Sequence, residues 1–158
     1  MCKLLDKVQP KNKSQLKSLI EYAFNHNIYD LNFIDTSEIT DMSKLFTNCK
    51  YDFDISEWDV SNVTDMNHMF YDCENFNCDL SKWNVSKVVN MFSTFSSCKK
   101  FEGKGLENWD VSAVTDMHYM FYECENLNCD LSGWDVSNVT NMWHLFDGCK
   151  KLDCDLSD

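Results

Sequence analysis

The sequence predicts an α/β repeat solenoid: a parallel sheet of short strands on one side, short helices on the other, and a capping helix at the N-terminus. Three observations predict it. A segment of about 25 residues recurs along the chain, at the period expected of stacked repeat units. Its Trp positions return at Trp58, Trp83, Trp109 and Trp134, spaced 25, 26 and 25 residues, with Ile34 standing for Trp in an earlier variant copy. Three more ladders keep the same step: Met42, Met66, Met91, Met117 and Met142; Phe46, Phe70, Phe95, Phe121 and Phe146; and Cys49, Cys73, Cys98, Cys124 and Cys149.

The elements follow in chain order. Leu16, Leu19, Ile20, Ala23 and Phe24 form one helical stripe, preceded by Pro10 and Ser14 and followed by Asn25 and Asn27. Residues 1–30 are therefore expected to cap a five-unit solenoid over residues 31–158. Within a unit, Leu80, Trp83, Val85 and Val88 read as a short strand with its bend, Trp and Val two apart on one face. Met66, Met69, Phe70 and Cys73 fall at i, i+3, i+4 and i+7, the stripe of a two-turn helix. Thr64 and Asp65 stand as its N-cap and first-turn acid, repeated by Thr40, Thr115 and Thr140, while Val89 breaks the pattern. A lone unit cannot bury its apolar side, but units stacked about 4.8 Å apart share one core. The stretch Phe101 to Leu106 carries one extra residue and two glycines and reads as a bulged loop. Asp158 stands where the next Trp is due, so the C-terminal end reads as an open edge at which either the natural chain continues or another molecule docks, a second copy being one candidate.

At this period the repeats fall in the leucine-rich-repeat-like class. The units Trp58-Asp-Val-Ser-Asn-Val-Thr-Asp-Met66 and Trp134-Asp-Val-Ser-Asn-Val-Thr-Asn-Met142, with Phe76-Asn-Cys-Asp-Leu-Ser81, resemble the repeat of the BspA-like leucine-rich-repeat surface proteins. The lead-in from Asp30 to Met42 and the helix before it resemble that family's N-terminal entry. The resemblance covers residues 13 to 158. It implies a bacterial or protist protein, often surface-exposed, that adheres or binds protein and carries no catalytic residues.

Charge narrows the partners. Fourteen basic against 26 acidic residues leave −12, a field that repels nucleic acid and anionic membrane surfaces and favours a basic or neutral protein. No apolar run approaches the ~20 residues of a membrane span. The N-terminal residues lack a signal peptide's apolar stretch, so the chain by itself reads as cytoplasmic, whereas the resemblance implies secretion or the cell surface.

Candidate chemistry is sparse. Cys73, Cys98, Cys124 and Cys149 sit on the inward stripe and read as small apolar groups, together with Met66, Met91, Met117, Met142, Phe70, Phe95, Phe121, Phe146 and the Trp ladder. Cys78, Cys129 and Cys154 form a second set, the basis of an alternative in which the protein responds to metal or redox state. Zinc would require four ligands converging on a point, and these lie along a line. Asp54, Asp79, Asp130 and Asp155 stack, as do Asp59, Asp110 and Asp135 around Asn84; closing turns is their expected role, with weak calcium binding the rival. No metal and no cofactor is expected, and no Ser/His/Asp order, phosphate loop or paired-acid motif indicates an enzyme.

The functional signal is a face. With Met, Phe and Cys inward, the positions one, two and five after each Met point outward: Phe92, His118 and Trp143; His68, Tyr119 and His144; Tyr71 and Tyr122. Contiguous exposed aromatics suit a protein-binding surface. Half-buried packing between neighbouring units, or binding on the concave sheet, are the competing expectations.

Overall fold

A computed structural model describes residues 7–153. The expected cap helix forms as α1, Lys13–Asn25. Asn12 caps it, its side-chain oxygen accepting the Gln15 N–H at 3.0 Å, and Gln15 Oε1 returns to the Lys11 N–H at 2.8 Å. Asn27, at φ 57°, ends the helix: the N–H groups of Asn27 and Ile28 turn back to the carbonyls of Phe24 and Ala23 at 3.1 and 2.8 Å. This is the Schellman arrangement, with asparagine at the left-handed position. Leu16, Ile20 and Ala23 are buried against the first copy.

The sheet and the short helices expected of each unit do not form, so the α/β repeat solenoid is corrected. Apart from α1 and one 3-10 turn at Leu106–Asn108, the described residues hold only isolated parallel bridges, such as the series Asp41, Asp65, Asn90, Asp116, Asn141. Each copy is instead a chain of tight turns. In the second copy the Met69 N–H donates to the Met66 carbonyl and the Cys73 N–H to the Phe70 carbonyl, both at 3.0 Å. The third residue of each turn, His68 and Asp72, lies at φ 53° and 56°, the type II arrangement. The same pair of turns recurs in all five copies. Two chained four-residue turns bring positions 1, 4, 5 and 8 inward, which is the i, i+3, i+4, i+7 spacing that mimicked a helix. Left-handed residues at positions 3 and 7 exclude a helix there. On the strand side, turns at Ile55–Trp58 and Val60–Val63 flank Trp58 so closely that no extended ladder has room.

The expected helix caps are likewise reassigned. Thr64, Thr115 and Thr140 donate both N–H and Oγ1–H to a carbonyl of the preceding copy, at 2.8–3.3 Å. Val89, which lacks the hydroxyl, keeps the backbone bond, to Thr64 at 2.9 Å. The acids close turns: Asp54, Asp59, Asp65, Asp79, Asp110, Asp130 and Asp135 each accept the N–H two residues on, at 2.9–3.1 Å. Those bonds help to hold the carboxyls of Asp54, Asp79, Asp110, Asp130 and Asp135 below the usual carboxylate value, Asp79 to about 2 with Lys104 as the larger cause. The stacked carboxylates are thus turn acceptors, as expected for Asx residues. Asp155 lies outside the described residues.

Copies stack in register. The N–H groups of Met66, His68, Phe70 and Asp72 donate to Asn90, Phe92, Thr94 and Ser96 of the next copy at 2.8–3.0 Å. Rings of the Phe46, Phe70, Phe95, Phe121 and Phe146 row lie 5.2–5.8 Å apart and within 12° of parallel. The indole N–H of Trp58, Trp83, Trp109 and Trp134 each reaches a carbonyl of the preceding copy at 2.8–3.3 Å. Cys73, Cys98, Cys124 and Cys149 are more than small apolar groups: each thiol contacts the Phe carbonyl of the preceding copy at 2.9–3.1 Å. The last copy is flanked by a neighbour on one side only among the described residues. Trp134, Phe146 and Cys149 are accordingly half-buried and Met142 is 39 % exposed.

Burial, with neighbouring thiols of the cysteine row adding to it, pushes the Cys73, Cys98 and Cys124 thiols well above their ordinary value of 9.0. A raised folded-state value means the native protein holds these protons after the unfolded chain has released them. Their stabilisation is therefore complete below pH 9 and lost as pH rises above it. The melting temperature should stay flat up to about pH 9 and fall between about 9 and 10, where lysine, with its ordinary value of about 10.4, is still mostly protonated. The Cys73→Ala/Cys98→Ala/Cys124→Ala variant should lose most of that slope. A wild-type profile flat to about pH 10 would contradict the assignment.

Candidate docking strip

Turn apices carry the outward residues. The middle residues of the first type II turn in the second to fifth copies are Asn67–His68, Phe92–Ser93, His118–Tyr119 and Trp143–His144, and the second turn presents Tyr71 and Tyr122. The in-register stack then sets these apices side by side. Phe92 and His118 stack at 3.8 Å and 11°, and His68 meets Phe92 edge-on at 4.4 Å. Tyr71 joins through His68 at 5.5 Å. Tyr119 continues the series, 5.7 Å from His118, 5.4 Å from Tyr122 and 4.9 Å from His144, which is 6.3 Å from Trp143. All seven sequence-derived candidates (Tyr71, Phe92, His118, Tyr119, Tyr122, Trp143 and His144) thus lie in one unbroken strip.

Exposure varies along it. Trp143 is 75 % exposed and Tyr71 37 %, while Phe92, His118, Tyr119 and Tyr122 are half-buried by their neighbours. Ser93 and Ser96, the third copy's counterparts of Tyr119 and Tyr122, are buried, so Phe92 alone carries that copy's share. The member that sequence reasoning undervalued is His68, whose ring ties Tyr71 to Phe92. Its position in the same row as Tyr119 and His144 was the available signal.

The imidazoles are held by local acceptors. His118 Nδ1 hydrogen-bonds Asp116, His144 Nδ1 lies 2.5 Å from Asp147 Oδ2, and His68 Nδ1 is 3.2 Å from Asn67 Oδ1. Desolvation, with Lys44 and His118 adding to it, pushes His68 below its ordinary value. No hydrogen bond joins these rings to a serine or cysteine nucleophile among the described residues.

The second cysteine set is dispersed. Cys78 lies 3.5 Å from Asp54 Oδ1, and burial pushes its thiol up to about 12, which keeps it protonated and poor as a ligand or nucleophile at neutral pH. Cys129 is half-buried over Gly103, and Cys154 lies outside the described residues. Among the described residues no three His, Cys, Asp or Glu side chains converge where they could hold a metal ion. An open groove of about 400 Å³ runs beside Tyr29, Asp54, Cys78 and Asp79, whose carboxylates are already engaged by turn N–H groups. No helix among the described residues is long and apolar enough to cross a membrane.

The family model described as "Mycoplasma protein of unknown function, DUF285" matches residues 14–105 and 93–158. The chain belongs to this family. Both matches take in strip residues, the first Tyr71 and Phe92, the second His118 through His144, so the strip lies within the residues the family model matches. Membership agrees with the BspA-like resemblance at the level of the family. No curated protein and no solved structure matches the chain.

Proposed function

We propose that this protein is a non-catalytic docking module that binds a protein partner through the aromatic–imidazole strip. The observation that carries the reading is contiguity: rings from four successive copies form one surface with neighbouring centroids 3.8–6.3 Å apart. Tyr and Trp dominate interface energies because they bury large areas at little conformational cost. A stack pinned by backbone bonds between copies presents them preorganised, which lowers the ordering cost of association. Adhesion is the use that the BspA-like resemblance adds.

Replacing Trp143 and Tyr119 together by alanine removes the most exposed ring and the junction of the strip. Capture of host proteins by the immobilised chain should fall by about thirtyfold or more, as expected for two hot-spot rings. The thermal melt should move little, since both side chains lie outside the buried core. Unchanged capture would overturn the docking strip, and a double variant that unfolds would overturn the proposed inside and outside of each copy.

A further inference from the structure

The strip is rimmed by carboxylates. Asp116 sits against His118, Asp147 against His144, and Glu123 beside Tyr122, whose hydroxyl it holds above the ordinary value. The lysine ion pairs go elsewhere, to Glu38, Asp41, Glu57, Asp72, Glu74, Asp79 and Glu125. Among the described residues no lysine pair reaches Asp116, Glu123 or Asp147, in a chain of net charge −12. Electron-rich ring faces bordered by carboxylates that pair with imidazoles at Asp116 and Asp147, and with no lysine, complement a guanidinium. Its plane stacks on Tyr or Trp while its N–H groups are shared with a carboxylate, a geometry that lysine cannot reproduce.

Resting on the docking reading above, we infer that the segment bound at the fourth and fifth copies is arginine-bearing. Its guanidinium groups stack on Trp143, Tyr119 and Tyr122 and donate to Asp116, Glu123 and Asp147. Charge complementarity selects this occupant over an acidic or purely apolar segment.

The test titrates the full chain with a peptide of four Gly-Ser-Arg units and with its citrulline counterpart, equal in shape but uncharged. Binding is followed by amide chemical shifts near physiological ionic strength, where long-range attraction is screened. The arginine peptide should bind about tenfold or more tighter, with shifts confined to residues 116–123 and 143–147. The Asp116→Asn/Asp147→Asn variant should weaken it by about tenfold, and Asp52→Asn/Asp153→Asn, outside the strip, by less than about twofold. Asp116→Asn is compatible with the fold, because Asn90 and Asn141 hold the same turn position and accept the same backbone N–H. Equal binding of the citrulline peptide, or equal weakening by the control pair, would overturn the inference. Neither result touches the docking reading, which fails separately if the Trp143→Ala/Tyr119→Ala variant captures host proteins undiminished.

Discussion

Phe95→Ala is expected to lower the unfolding free energy by about 3–5 kcal/mol, the range for deleting a fully buried phenyl ring. Phe95 is wholly buried and is the central ring of its row, 5.2 Å from Phe70, 5.7 Å from Phe121 and 4.4 Å from Phe101. The loss lies at the high end for a structural reason. Backbone bonds from Phe70 to Thr94 and from Phe95 to Met120, both 2.9 Å, fix the spacing of the copies, so the flanking rings cannot collapse into the void. Urea unfolding measures it, as a shifted midpoint with an unchanged slope. The same change at half-buried Phe146, which among the described residues has a ring neighbour of its row on one side only, should cost clearly less. Equal losses at the two positions would deny a shared interior.

Gly105→Ala should be comparably severe, at more than about 3 kcal/mol, for a backbone rather than a cavity reason. Gly105 lies at φ 96°, and a Cβ there would fall 2.2 Å from the Ser81 nitrogen and 2.5 Å from its Cα. Those are main-chain atoms of the preceding copy and cannot swing aside; relief requires the copies to part where the Leu80 N–H donates to the Lys104 carbonyl. Gly133 is the internal control. Nothing lies within 4 Å of its Cβ position, so Gly133→Ala should be neutral or slightly stabilising. A Gly105→Ala variant melting with the wild type would contradict the close approach.

The period was legible in the sequence because like residues at fixed spacing must meet like environments when copies stack. Phe70, Phe95 and Phe121 fall in one row for that reason, and the strip was legible with them: a ladder of inward Met positions fixes which neighbours face out. The local conformation was not legible. Met66, Met69, Phe70 and Cys73 satisfy a helical stripe and a pair of chained turns equally well, and hydrophobic spacing cannot separate the two. What separates them is the left-handed backbone at His68 and Asp72, residues that do not advertise it as glycine would. Only Gly148, in the same row as Asp72, Ser97 and Glu123, carried that signal openly. Asp54 with Ser56 and Asp79 with Ser81 were the other clue, since Asx turns at every corner leave no residues for a strand.

The stacked register itself is tested most directly by amide NOE spectroscopy on the labelled protein. In-register copies require cross-peaks between residues 24 to 26 apart, linking His68 to Phe92, Ser93 to His118 and Tyr119 to Trp143, and repeating along the chain. Cross-peaks confined within single copies, with none linking these pairs, would contradict it.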